Sequence, residues 1–504
     1  MYSEKVKGIE STGFKVKDWL VSDLEVFVYN LKRFVDTYSD VGNVSQQTLH
    51  FIRIKGWKIT STVKFLIRLH NVSTLKKFYT YTFQIISCFG KIRDMDTMIG
   101  LLNSEKSPRS LVKDFSNKRH KYMKEAYKKV SKVLDKYVEV SNQFLEEIEN
   151  EKYILRFKDL YKVYKMITNE YYFSKLSFLL EPSYELFNNV RVKLKNVKYL
   201  FWLLTSFFDV SGLGDESLLN YLKDTFIAIN DFQRSLSHFR DIITLVGILS
   251  KISLRVSRKK DFVDSFLNSR KNVWQDAVSS FRERQIRIDY RLNNVLRMFN
   301  KMYNQSSDPD RYLRIQSYIE EFALKNGSNL TNSKVMYELA VRIYREFDKL
   351  NFLVYDSFEE FVIKGACIIH DVGMSFSEES YHKLSMEKFV EADIREIKTK
   401  EKLFIALVAR YHTRSIPKYS HKWYTNLKDH DKMIINRLSA FVRFSFSVCK
   451  MLDFNVSLSS IENTRDSIVI NLKSPNKEKF NLDEADKLLL ERMIGIPINI
   501  SISE

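Results

Sequence analysis

The sequence predicts an all-α protein built from two successive helical blocks, with a small β segment confined to the C-terminal end. Three observations predict it. Only 13 Gly and 6 Pro occur in 504 residues, too few for a turn-rich sheet protein. Apolar residues recur with a period near 3.6 over long stretches rich in Leu, Lys and Phe, as amphipathic helices require. Period-two alternation, which suits a half-buried strand, is clear only at residues 467–470 and 497–502.

The formal charge of +19 is unevenly spread. Residues 51–200 hold 30 Lys and Arg against 15 Asp and Glu, so this stretch is the basic part of the chain. Such a surface attracts polyanions, namely nucleic acid, anionic membrane or polyphosphate, and a solvated basic face serving solubility is the alternative. Cys88, Cys367 and Cys449 lie far apart in apolar contexts, which gives neither a disulfide framework nor a CxxC metal pair. Buried thiols in a reducing compartment are expected. Residues 1–17 mix charges with Gly and lack the apolar centre of a signal peptide. No apolar run approaches the ~18 residues of a membrane span, so a soluble, cytoplasmic chain is expected.

Taken in order, residues 19–38 form a helix with Leu20, Leu24, Phe27, Leu31 and Phe34 on its buried side. A basic helix from Leu49 to Arg68 follows. At 100° per residue His50, Arg53, Trp57, Ser61, Lys64 and Arg68 share one stripe, and Ile52, Ile59, Val63 and Leu66 fall opposite. A third helix covers 74–88 and leads into F-G-K-I-R-D-M-D at 89–96. Residues 110–150 read as one long charged helix, and 152–180 as another. A second basic helix covers 188–199, with Arg191, Lys195, Lys198 and Trp202 on one face and Val190, Leu194, Val197 and Phe201 on the adjacent one. The form F-x-x-I-x-D occurs at 89–94 and again at 226–231. Arg53 lies 41 positions before Asp94, and Arg191 lies 40 before Asp231, so an internal duplication is the best account.

The residues here resemble the CHAD domain (conserved histidine α-helical domain), whose signature is H-x-x-R-V-x-x-x-R-L-R. His50, Arg53, Ile54, Lys58 and Ile59 match it, with Trp57 and Thr60 departing, and residues 93–96 resemble its R-D-x-D segment. In the second repeat Arg191, Lys195, Lys198 and Tyr199 match, Asn188 replaces the histidine, and residues 222–231 resemble L-Q-x-x-L-G-x-x-N-D. The resemblance covers about 20–255. It implies two four-helix-bundle-like repeats related by a pseudo-twofold, with basic faces lining a shared groove and inorganic polyphosphate as ligand. The contacts implied are His50, Arg53, Lys58, Lys64, Arg68, Arg191, Lys195 and Lys198. Polyphosphate is a row of anions without bases, and cations at helical spacing, Arg above all, suit it. Trp57 and Trp202 read as packing residues, and Arg93 with Asp94 either as a structural pair or as ligand contacts.

Residues 256–300 read as a charged helical connector, and N-Q-S-S-D-P-D at 304–310 is a loop. The expected division is 1–255 (repeats about 20–150 and 151–255), a connector over 256–311, and a second helical domain over 312–504. That last block carries I-I-H-D-V-G at 368–373, Y-H-K-L-S at 381–385 and A-R-Y-H-T at 409–413. These resemble the L-L-H-D-I-G, H-x-H-S and R-Y-H-R-K pieces of the HD-type helical domain that ends exopolyphosphatase and guanosine pentaphosphatase (Ppx/GppA) enzymes. Residues 322–327 and 338–341 are similar to that domain's lead-in helices, and the resemblance covers about 312–470.

Active HD enzymes hold a metal through an upstream His, the His-Asp pair and a distant Asp. His370 and Asp371 are kept. Asn332 (or Val335 on a shifted alignment) stands at the upstream position and Lys450 at the distant one, with Asp453 three residues further. An ammonium repels a divalent cation. The resemblance therefore implies a degenerate phosphohydrolase site, with His370, Asp371, His382 and His412 as the catalytic candidates, His370 and Asp371 as the metal candidates, and a divalent metal only if the site is active. No other cofactor is expected. A P-loop, G-x-S-x-G and HExxH are all absent from the sequence.

The expectation is a polyphosphate-binding accessory or scaffold protein, acting with a separate exopolyphosphatase or at polyphosphate granules. A metal-dependent HD phosphohydrolase acting on polyphosphate or nucleotide phosphoanhydrides, and a nonspecific nucleic-acid binder, stay open as alternatives.

Overall fold

Helical periodicity in the sequence becomes helices, most with ends close to the residues that predict them, although the second basic helix runs over Tyr184–Ser211 and not 188–199. The structure, a computed structural model, describes residues 14–70, 72–149, 154–211, 216–252, 257–302, 309–413, 415–464 and 466–504. Most of the residue 1–17 stretch and of the 304–310 loop lies outside these residues. The chain divides into two units that interleave in sequence: residues 1–165 with 191–284, and residues 166–190 with 285–504.

In the first unit, α1 (Val16–Val41), α2 (Gln46–His70), α3 (Ser73–Cys88) and α5 (Arg109–Glu149) pack side by side, and α4 (Gly90–Ser104) lies on α5. Their apolar stripes meet in a core that includes Phe27, Ile52, Ile59, Val63, Phe78, Tyr137 and Phe144. The Phe78 and Phe144 rings stack at 4.1 Å, and Phe27 meets Tyr137 edge-on at 5.8 Å. Gly56 sets how closely α2 approaches its neighbours. A Cβ there would stand 2.6 Å from Ile86 and 2.8 Å from Phe27. A two-residue antiparallel ladder, β1 (Phe14–Lys15) with β2 (Ile154–Leu155), is too short to leave a pattern in the sequence. Further along come α6 (Phe157–Leu180), α7 (Tyr184–Ser211), α8 (Glu216–Ile252), α9 (Ser257–Ser269) and α10 (Val273–Met302). Leu245 and Leu249 of α8 join Met98, Leu102, Leu111 and Phe115 in a satellite core.

The second unit centres on α17 (Asp429–Met451), which is buried along most of its length, polar side chains such as Asn436 and Arg443 included. Around it lie α11 (Pro309–Lys325), α12 (Leu330–Lys349), α13 (Ser357–Ile369), α14 (Tyr381–Glu391), α15 (Thr399–Arg410) and the single turn α16 (Lys422–Thr425). A three-stranded sheet closes the unit: β3 (Ser457–Asn463) runs antiparallel to β4 (Ile468–Lys473), which runs parallel to β5 (Ile498–Ser503). Helix α18 (Glu484–Ile494) makes the crossover a parallel pair needs. Strands β4 and β5 lie where alternation predicts them, with Ile468, Ile470 and Leu472 fully buried. Strand β3 was not expected, because its S-L-S-S-I-E-N buries only Leu458. The fold is thus all-α with a small C-terminal β segment.

Candidate anion-binding groove

On α2, Arg53 and Trp57 stand one turn apart on the side away from Ile52 and Ile59. On α7, Arg191, Lys195 and Lys198 follow at helical spacing while Val190, Leu194 and Val197 are buried. Within the first unit these two faces line one cavity of about 550 Å³. His50, Arg53 and Trp57 come from α2, Arg93 and Asp94 from α4, Arg191, Lys195, Lys198 and Tyr199 from α7, and Gln233 and Arg240 from α8.

Two basic helices face one another here because each lends the other an aromatic face. The Lys195 ammonium lies 3.3 Å from the centre of the Trp57 ring, and Lys58 lies 3.8 Å from the centre of Trp202. Such cation–π contacts are worth about 0.5–2 kcal/mol each, more when desolvated. One wall is charge-neutral by construction. Arg93 donates to both oxygens of Asp241 at 3.1 and 2.9 Å, and Arg240 donates to Asp94 at 2.9 Å and to Asp241. Arg93 also reaches Asp94 at 3.3 Å, and both residues line the groove.

The remaining cations are left crowded. Burial first, then the charges of Lys198, Arg53, Arg191 and Arg93, holds the Lys195 ammonium well below the usual lysine range. Burial, then Arg93, brings Arg53 down to about 10, so it stays charged at neutral pH. Among the described residues no carboxylate forms an ion pair with Arg53 or Lys195. An anion entering the groove would meet cations that gain from its charge.

Of the residues expected from sequence, His50, Arg53, Arg191, Lys195 and Lys198 come together here. Lys58 instead turns to Trp202 and lies 3.9 Å from Asp23. Lys64 and Arg68 fall outside the lining. A straight stripe from Arg53 to Arg68, fifteen residue rises, runs roughly 22 Å along the helix axis and outruns the groove. Asp231, the expected counterpart of Asp94, is exposed beside Arg234; Asp241 takes the Arg93 side chain. Arg240 was not anticipated, although Arg240-Asp241 repeats the Arg93-Asp94 dipeptide and could have marked it.

In the second unit the histidine motifs fold inward. His370 Nδ1 bonds the Cys367 carbonyl at 2.8 Å. Ser385 Oγ donates to the His370 carbonyl at 3.0 Å and accepts from the Gly373 N–H at 2.8 Å. His412 Nε2 meets Tyr381 Oη at 3.0 Å, and its ring packs on Phe446 at 4.6 Å and His370 at 5.2 Å. Burial holds both imidazoles below their usual pKa, so they sit neutral in the core. His382 is buried beside them. Asp371 accepts from Ser328 Oγ and from the Asn329 N–H at 2.9 Å, which ties down the start of α12. Both of its oxygens are used.

Among the described residues no three His, Cys, Asp or Glu side chains gather as ligands. Lys450 is exposed and Asp453 has left the helix at φ +52°. Gly373 is held by packing: a Cβ would lie 2.2 Å from the Tyr381 carbonyl oxygen and 2.8 Å from Ser385 N. Gly373→Ala is expected to destabilise the protein by about 3 kcal/mol, the upper end of overpacking costs, read as a lowered urea midpoint.

Fold and groove together define an all-α chain with a cation-lined groove in one unit and a sheet-closed helical unit at its end. Residues 314–491 match the family model of Ppx/GppA phosphatase, domain III, which is about a third of the chain. No curated protein matches the chain. No helix among the described residues is long and apolar enough to cross a membrane.

Proposed function

We propose that this protein binds inorganic polyphosphate in the groove of its first unit, as an accessory or scaffold and not as a hydrolase. The convergence of Arg53, Arg191, Lys195 and Lys198 on one cavity carries the reading. Both tryptophans at the meeting of the helices have a lysine over the ring face. That disfavours base stacking, the usual anchor of single-stranded nucleic acid, and favours a polyanion without bases. The CHAD-like motifs of residues 20–255 and the domain III match of residues 314–491 bear on the same phosphate chemistry. Hydrolysis at His370 and Asp371 is the poorer reading, because Asp371 anchors the start of α12 and no three potential metal ligands gather among the described residues. On this reading the protein acts in the cytoplasm, at polyphosphate granules or beside a separate exopolyphosphatase.

A competition titration at fixed salt tests the proposal. Long-chain polyphosphate is expected to displace single- and double-stranded nucleic acid at substoichiometric charge; nucleic acid that competes on equal terms would favour the nonspecific reading. Binding should also take up protons. A bound polyanion raises the lowered pKa of Lys195, so the extra affinity is fully present below the free-protein pKa. It is lost as pH rises toward the value in the complex. Isothermal titration in buffers of different ionisation enthalpy over a pH series reads the uptake directly, and affinity should fall as pH rises through the lowered Lys195 range toward the ordinary lysine value.

A further inference from the structure

A second basic surface lies outside the groove. Along α5, Lys121, Lys124, Lys128, Lys129 and Lys132 are all exposed, against Glu125 alone in that span. At 100° per residue Lys121, Lys124, Lys128 and Lys132 fall within about 80° of one another, and they cover roughly 16 Å of axis. The ladder ends at Lys136, which pairs with Glu139 at 2.7 Å.

A hollow beside this face shares a lining residue with the groove. A cavity of about 530 Å³ lies between α3 and α5, lined by Phe83, Ser87 and Cys88 on one side and Lys129, Lys132 and Val133 on the other. Ser87 lines the groove as well, so the two hollows share that residue. Lys129 and Cys88 both line this hollow; burial raises the Cys88 thiol pKa, and the Lys129 charge acts the other way. The hollow's floor is apolar; its lysine rim is the part that suits an anion.

We propose that the lysine face of α5 is a second polyanion subsite, reached from the groove past Ser87, so that long polyphosphate chains engage both surfaces and short ones the groove alone. This rests on the polyphosphate reading of the groove. Two linked contacts make the second one intramolecular, which raises affinity for any chain long enough to span both. Chain-length preference is then written in the distance from Lys195 to the α5 ladder.

The test compares long-chain polyphosphate with tripolyphosphate on three proteins: wild type, K129E/K132E, and K32E/R33E, a charge-matched control at exposed positions of α1. All four substituted positions are exposed, and circular dichroism checks folding. K129E/K132E is expected to bind long chains at least tenfold more weakly. Its salt slope should be shallower by about two units, by analogy with counterion release from nucleic acid. Tripolyphosphate affinity should stay within about twofold, and the control should bind both ligands like wild type. Unchanged long-chain affinity overturns the inference. So does an equal loss for tripolyphosphate, or an equal loss in the control, since each would make the effect one of overall charge. Wild-type protein that binds neither ligand overturns the polyphosphate reading and this extension together, whereas binding of both with equal affinity overturns the extension alone.

Discussion

Reversing Arg53, Arg191 and Lys195 to glutamate together is expected to weaken long-chain polyphosphate binding at least a thousandfold. Each of the three lines the groove, and a hydrogen bond to a charged group is worth about 1.5–3 kcal/mol. Losing three such contacts removes roughly 4.5–9 kcal/mol, and every 1.4 kcal/mol is a factor of ten. The new carboxylates then repel the ligand as well. The triple variant should also show a much flatter dependence of affinity on salt, because fewer counterions are released. Lys195 touches Trp57 as well as the groove, so Lys195→Met serves as the companion variant. It keeps an unbranched chain over the ring and removes the charge, so it should lose affinity while costing stability no more than the about 0.5–2 kcal/mol of the cation–π contact. Titration by fluorescence anisotropy against labelled polyphosphate measures both, and unchanged affinity in the triple variant would sink the proposed function.

Arg437→Leu is expected to destabilise the second unit by about 3–5 kcal/mol, the usual effect of stripping one partner from a buried ion pair. Arg437 Nε donates to Glu359 Oε2 at 3.0 Å, and its second nitrogen bonds Oε1. Tyr344 Oη donates to the same carboxylate at 3.1 Å. Glu359 is 4% exposed, so the single variant leaves a carboxylate with one hydroxyl for company in the core. The double variant Glu359→Leu/Arg437→Leu should regain most of the loss, because both desolvation penalties vanish together. Urea unfolding followed by circular dichroism gives both midpoints. A single variant no less stable than the double would show that the pair contributes nothing to holding α13 against α17.

Much of this molecule is legible in the residues. Scarce Gly and Pro and a 3.6-residue period are local properties, and they determine the helices of both units and the all-α class. Local chemistry also determines that Arg53 and Trp57 share a face of α2 and that Arg191, Lys195 and Lys198 share one of α7. The alternation at 467–470 and 497–502 determines β4 and β5 in the same way. Helical periodicity says which side chains leave a helix together, but it does not say what they meet.

The tertiary structure alone decided that second question. It sent Lys58 to Trp202 while Lys195 came to Trp57, and it left Lys64 and Arg68 beyond the groove's end. It chose Asp241 over Asp231 as the partner of Arg93. It turned His370 and Asp371 inward, to the Cys367 carbonyl and the start of α12. In each case the partner lies on another helix, tens of residues away or more, or the choice depends on burial. Burial and partnership are set by which helix faces pack together, and that is a property of the whole fold and not of any one stretch of sequence.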